Sequence, residues 1–139
     1  MRVAYSAVHE KRIEIRWRDL DAYQHVNQDV YLTYLEETLD DWIRGVLDLG
    51  EGQVWHYVAA HVSIDYRNEL RLEDRQAIGS VRLERVGTKS VTARAELRAP
   101  DGRVAAEADL VIVSRDPETG ASQPLTEEER AAFEAAGRA

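Results

Sequence analysis

No cysteine occurs in the chain, and there is one methionine, one phenylalanine and three prolines among 139 residues. Without thiols there can be no disulfide, no thiolate metal site and no cysteine nucleophile. Basic residues are also in short supply, 18 against 26 acidic ones, for a formal charge of -8. Such a surface repels phosphate backbones at long range, so no nucleic-acid partner is expected, although a small anion can still be held by a few local arginines. No apolar run approaches the roughly 18 residues of a membrane span, and Met1 to Lys11 lacks the apolar core of a secretory signal, so a cytoplasmic protein without a membrane partner is expected. His9, His56 and His61 show no paired spacing with carboxylates, and the helical histidine–glutamate zinc motif is absent, so no metal is expected.

What is present suits one soluble-type domain: 44% hydrophobic residues to build a core and 32% charged residues to cover it. A chain of this size buries only about two-thirds of its unfolded surface, so an open sheet face would gain from pairing. Lys11 to Trp17 alternates, with Ile13, Ile15 and Trp17 on one face, and reads as a half-buried strand. A helix follows from Asn27, its cap, to about Leu49, with Asp29 in the first turn and Gly50 and Gly52 as stops. Its many apolar residues predict burial over much of its circumference, with Glu36, Glu37, Asp40 and Asp41 on the remaining side.

Period-two patterns then place strands near Val54 to Tyr66, Gln76 to Val86, Ser90 to Ala99 and Arg103 to Ser114. Turns are signalled at Val86-Gly87-Thr88 and Pro100-Asp101-Gly102. A phase change around Gly79 suggests a bulge or a close backbone approach, and the run Leu110 to Val113 suggests a central strand covered on both faces. Thr126 to Ala136 reads as a surface helix anchored by Phe133, making residues 116–139 an appendage to a core over about residues 11–115. One helix followed by a run of strands argues for an α+β fold, a curved antiparallel five-stranded sheet wrapped around one long helix, because parallel strands would need intervening helices.

The segment Arg18-Asp19-Leu20-Asp21-Ala22-Tyr23-Gln24-His25-Val26-Asn27 concentrates a carboxylate, an imidazole and an amide between strand and helix. Locally, an aspartate there is most often a turn or capping residue, a histidine beside an apolar helix is usually packed or capping, and Asn27 fits a cap better than a ligand. Tyr31, Tyr34 and Trp42 recur at helical spacing, as core residues do.

Asp19 to Ala22, His25 to Asn27 and Tyr31 to Glu36 together resemble the signature of the hotdog-fold acyl-CoA thioesterases, in the 4-hydroxybenzoyl-CoA thioesterase-like branch. Ile64 to Arg67, Leu70 to Asp74 and Arg85 to Ser90 resemble the rest of that family's sheet in the same order, so the resemblance covers roughly Ile13 to Val113. Two positions depart from it: many members have a glycine where Gln24 stands and a second asparagine where Gln28 stands.

The resemblance implies hydrolysis of an acyl-CoA or acyl-carrier thioester, with coenzyme A as part of the substrate and no separate cofactor. It also implies a homodimer with active sites at the interface, often paired again into a homotetramer. In such members the aspartate matching Asp21 attacks the carbonyl or activates water. The backbone amide near Gln28, at the positive end of a helix, is the expected oxyanion donor. His25 is the expected third member, able to position water, orient the carboxylate or protonate the leaving thiolate. Asn27 and Tyr31 are expected to meet substrate. The glycine turn with Arg85, Lys89 and Ser90 is the expected phosphate site, with Arg67 and Arg71 as weaker alternatives. Two other classes share the fold: a non-catalytic acyl-CoA binding or sensing protein, and a hydratase or dehydratase. The sensors' DNA-binding segment has no expected place before Ile13, and the acid–base motifs of the hydratases are not found.

Overall fold

The computed structural model describes residues 5–138. In chain order the main elements are β1 (Val8–Glu14), α1 (Gln28–Val46), β2 (Tyr57–Tyr66), β3 (Gln76–Val86), β4 (Ser90–Arg98), β5 (Val104–Ser114) and α2 (Glu127–Arg138). All strand pairs are antiparallel, and the sheet order is β1-β3-β4-β5-β2. The α+β expectation therefore holds, with α1 packed along one face of a five-stranded sheet. No helix is long and apolar enough to cross a membrane among the described residues.

The core lies between α1 and the sheet. Tyr31, Tyr34, Leu35, Thr38, Leu39, Trp42 and Ile43 are the buried residues of α1, a single stripe at spacings of three and four. That is narrower than the sequence suggests, because Val30, Leu32, Val46 and Leu47 are only half-buried along its flanks. Opposite them stand the inward residues of β3, Ala77, Gly79, Val81 and Leu83, which keep one phase throughout. No bulge occurs at Gly79, since pairing with β1 and β4 runs through it unbroken; the register shift falls later, between Leu83 and Arg85. The close approach is real: a Cβ on Gly79 would lie 2.0 Å from Thr38 Oγ1, so glycine lets α1 sit down on the sheet.

Strand β1 begins and ends earlier than the alternation implies. Its ladder stops at Glu14 opposite Gln76, and one further bond joins Ile15 N–H to the Arg75 carbonyl before the chain turns. Trp17 falls in that turn and is 80% exposed, while Ile13 and Ile15 are buried. Strand β5 is interior but not covered on both faces, for its residues alternate between buried and half-buried.

The C-terminal segment is part of the core rather than an appendage. Thr126 and Glu129 cap α2 reciprocally, Thr126 Oγ1 accepting from the Glu129 amide at 3.0 Å and Glu129 Oε1 from the Thr126 amide at 2.9 Å. The capped helix drives Phe133, 0% exposed, against Trp42 and Trp55 with ring centroids 5.5 and 5.6 Å away.

The two sheet edges differ in kind. Edge β1 carries Glu10, Lys11, Arg12 and Glu14, charges that discourage pairing. Edge β2 reads Tyr-Val-Ala-Ala-His-Val-Ser-Ile before its first charge at Asp65, and most of it is exposed.

Candidate active site

Both chain segments that flank the start of α1 are held by directional bonds. Leu20 bridges Val26, the Asp21 amide donates to the His25 carbonyl at 2.8 Å, and the Gln24 amide donates to the Asp21 carbonyl at 3.2 Å. This tight loop forces Gln24 to φ 68, the left-handed region that favours glycine. A glutamine held there carries a local cost of about 1 to 2 kcal/mol.

Asp21 sits half-buried at the loop's base. Its Oδ1 accepts the amides of Tyr23 at 2.9 Å and His25 at 3.3 Å, the turn role that an aspartate fills in such loops. Its Oδ2 takes no hydrogen bond among the described residues and is the oxygen free to act on a ligand.

Next comes the helix start. Asn27 is the cap, its Oδ1 accepting from the Asp29 amide at a long 3.5 Å, while its own amide donates to the Asp19 carbonyl at 2.9 Å. Gln28 is the first helical residue, and its amide meets no acceptor among the described residues. It adds to the positive end of the helix.

Asp21, His25, Asn27, Gln28 and Tyr31 line one cavity of about 450 Å³, closed on the other side by Tyr66, Arg67, Asn68 and Glu69. Five of the residues expected from sequence are therefore brought together. His25 does not orient Asp21 through its ring. Its Nε2 lies 3.1 Å from Glu69 Oε2, the oxygen that also takes Arg71 at 3.0 Å, so the imidazole is tied to the opposite wall. Tyr31 lines the cavity with its ring, but its hydroxyl donates to the Asn68 carbonyl at 3.2 Å and accepts from the Leu70 amide at 2.9 Å. Burial raises the Tyr31 phenol above its ordinary range, only partly opposed by the Leu70 amide.

Arg85, Lys89 and Ser90 lie elsewhere. They belong to the β3–β4 hairpin, at the end of the sheet where Ser90 pairs with Val113, whereas the cavity adjoins the end where Tyr66 pairs with Ala106. Lys89 Nζ instead approaches Ser122 Oγ at 3.4 Å. Arg67, the weaker anion alternative from sequence, is the cation on the cavity wall, paired with Glu107 at 3.3 Å and Asp65 at 3.7 Å. Glu69, Asn68 and Tyr66 were not singled out from the sequence. Their one signal is position, Tyr66 within the segment Ile64 to Arg67, and Asn68 and Glu69 between it and the segment Leu70 to Asp74.

A larger hollow of about 570 Å³ lies on the outer face of the sheet. It is lined by ion-paired side chains such as Arg98 with Glu10 and Glu96, and it has no helix start beside it. Among the described residues no three histidine, aspartate or glutamate side chains gather as a metal site requires.

A long helix cradled by a five-stranded antiparallel sheet is the hotdog fold of the thioesterases. The chain belongs to the thioesterase-like superfamily, whose family model matches residues 15–133. The match extends past Val113 to Phe133, in keeping with the place of α2 in the core. The chain is 30% identical over 128 residues to the long-chain acyl-CoA thioesterase FadM of Escherichia coli, covering 90% of this chain and 96% of that one. Among solved structures it resembles a Thermus thermophilus thioesterase complexed with coenzyme A and Zn, at 31% identity and a TM-score of 0.77, covering 94% of this chain and 95% of that one. A predicted thioesterase of Bacillus stearothermophilus shares the fold with a TM-score of 0.82 at 22% identity, covering 93% of this chain and 96% of that one.

Proposed function

We propose that this chain hydrolyses an acyl-CoA or acyl-carrier thioester in a cavity where Asp21 faces the start of α1. The observation that carries the reading is that Asp21 and the unpaired Gln28 amide line the same cavity. Asp21 Oδ2 attacks the thioester carbonyl or takes a proton from water, and the Gln28 amide at the positive helix end stabilises the charge that develops on the carbonyl oxygen. His25, held by Glu69, is placed to hand a proton to the departing thiolate. The branch is that of the 4-hydroxybenzoyl-CoA thioesterase-like enzymes, and the location is the cytoplasm.

The working unit in this reading is a homodimer joined through β2, the long, neutral and exposed edge. Two β2 strands pairing antiparallel about a two-fold axis would set the cavity end of one sheet beside the hairpin end of the other. The partner's hairpin is then the source of the arginine, lysine and serine expected to meet the phosphates, a role that Arg85, Lys89 and Ser90 of this chain fill in return. The ion-paired outer face leaves room for a homotetramer. A second reading, a binding or sensing protein without catalysis, draws on Asp21 Oδ1 being engaged in its own loop.

The test is free-thiol release from short, medium, long-chain and aromatic acyl-CoAs by wild type and Asp21→Ala. Turnover of at least one thioester, lost in a folded Asp21→Ala protein, is expected. Stoichiometric binding without product would establish the second reading instead.

A further inference from the structure

Two tyrosines one turn apart on α1 direct their hydroxyls to the two chain segments that supply the Asp21 cavity, Tyr34 to the one that carries Asp21 and Tyr31 to the one that faces it. Tyr34, 3% exposed, donates to Asp19 Oδ2 at 2.5 Å. That same oxygen accepts the Arg16 amide at 3.0 Å, and the Asp19 carbonyl accepts the Asn27 amide at 2.9 Å. Asp19 is therefore a knot joining the end of the first strand, the helix cap and the helix body, two residues before Asp21. Tyr31, also 3% exposed, holds the 68–70 backbone in the same manner from the next turn.

Packing alone does not account for this. A phenylalanine would fill either ring site, and a buried hydroxyl is costly unless it is bonded. Both hydroxyls are bonded, and their partners, Asp19, Asn68 and Leu70, belong to the two segments that run into the cavity. We propose that the Tyr34–Asp19 bond is a positioning device that holds the Asp21 loop in register with the start of α1, with Tyr31 doing the same for the facing wall. The proposal rests on Asp21 as the reacting carboxylate. It gives the two carboxylates of the segment different places: Asp21 lines the cavity, whereas Asp19 does not and serves as the anchor for the Tyr34 hydroxyl and the Arg16 amide. Burial and the adjacent Asp19 carboxylate both push the Tyr34 phenol upward, so it remains a donor across the working pH range.

The device has a readout independent of turnover. The Leu20, Asp21, Gln24 and Asn27 amides are all hydrogen-bonded within this loop, so its fastening can be followed by amide hydrogen exchange of the free protein. Tyr34→Phe is expected to speed exchange across Arg16 to Asn27 and leave 67–71 unchanged, while Tyr31→Phe does the reverse. In thioester hydrolysis, Tyr34→Phe should lower kcat about 10- to 100-fold with KM nearly constant, as expected when a reacting group is displaced by an ångström or less. Asp19→Ala, which also removes the acceptor of the Arg16 amide, should lose at least as much, and the double variant should lose no more than Asp19→Ala alone, because the Tyr34–Asp19 bond is already absent there. Full kcat in Tyr34→Phe, additive losses in the double variant, or unchanged exchange across Arg16 to Asn27 would each overturn the proposal. Should wild type hydrolyse no thioester, the reading of function fails, and the exchange measurement alone decides whether the tyrosine fastens the loop.

Discussion

The two ends of α1 are built by different physics. At its start, around Asp19, Asp21, Asn27 and Tyr34, short directional bonds fasten polar loops to each other and to the buried rings of the helix. At its far end Trp42, Trp55 and Phe133 pack ring against ring, under a helix that carries its own cap at Thr126. Hydrogen bonds set positions, since they fail beyond a few tenths of an ångström, whereas apolar burial supplies free energy without demanding exact placement. The difference implies that stability and chemistry can be changed separately in this molecule.

The strongest way to break that comparison is at Phe133. Truncating this fully buried ring to alanine should cost about 3 to 5 kcal/mol of stability, read by denaturant unfolding. Turnover per folded molecule should stay within a factor of about two, because none of the three rings lines the cavity. A comparable loss of kcat in the folded fraction would join the two ends into one cooperative unit.

A smaller effect should appear in alkali and belongs to the far end. Burial, then the Asp40 carboxylate, push the Tyr57 phenol up to about 12, and its hydroxyl donates to Asp40 Oδ1 at 3.3 Å. Unfolded tyrosines ionise near 10. Between those values the folded state holds a proton that the unfolded state has lost, so stability falls as pH rises through that window, and the contribution is fully present below pH 10. Tyr57→Phe should flatten the decline between pH 10 and 12 in unfolding curves. An equal slope in both proteins would place the alkaline sensitivity elsewhere.

The same contrast governs what the sequence made legible. Period-two patterning located β3 to the residue, and the Asn27 cap and the Thr126 cap both stand where side-chain chemistry predicts them. Apolar patterning could not tell a turn from a strand at Trp17, which continues the alternation of Ile13 and Ile15 but follows the last ladder bond. It also missed the role of α2, because one phenylalanine in a polar helix looks like a surface anchor until the two tryptophans it meets are in place. Gly79 showed an irregularity whose cause, Thr38 on another element, is a tertiary fact. In the site, the motif gave Asp21, His25, Asn27, Gln28 and Tyr31 together. Glu69 and the Tyr34–Asp19 bond were hidden because their partners lie 44 and 15 positions away along the chain. The hairpin with Arg85, Lys89 and Ser90 could not be placed relative to the cavity from sequence, because strand length and register put the two at opposite ends of the sheet.

The most direct test of the account is acyl-CoA hydrolysis by Asp21→Asn. Asparagine keeps an oxygen to accept the Tyr23 and His25 amides, so the loop and the melting temperature should be preserved while the carboxylate is lost. The account predicts that turnover falls about 100- to 10,000-fold at unchanged melting temperature. Turnover within about threefold of wild type would contradict it and return Asp21 to the role of a turn residue.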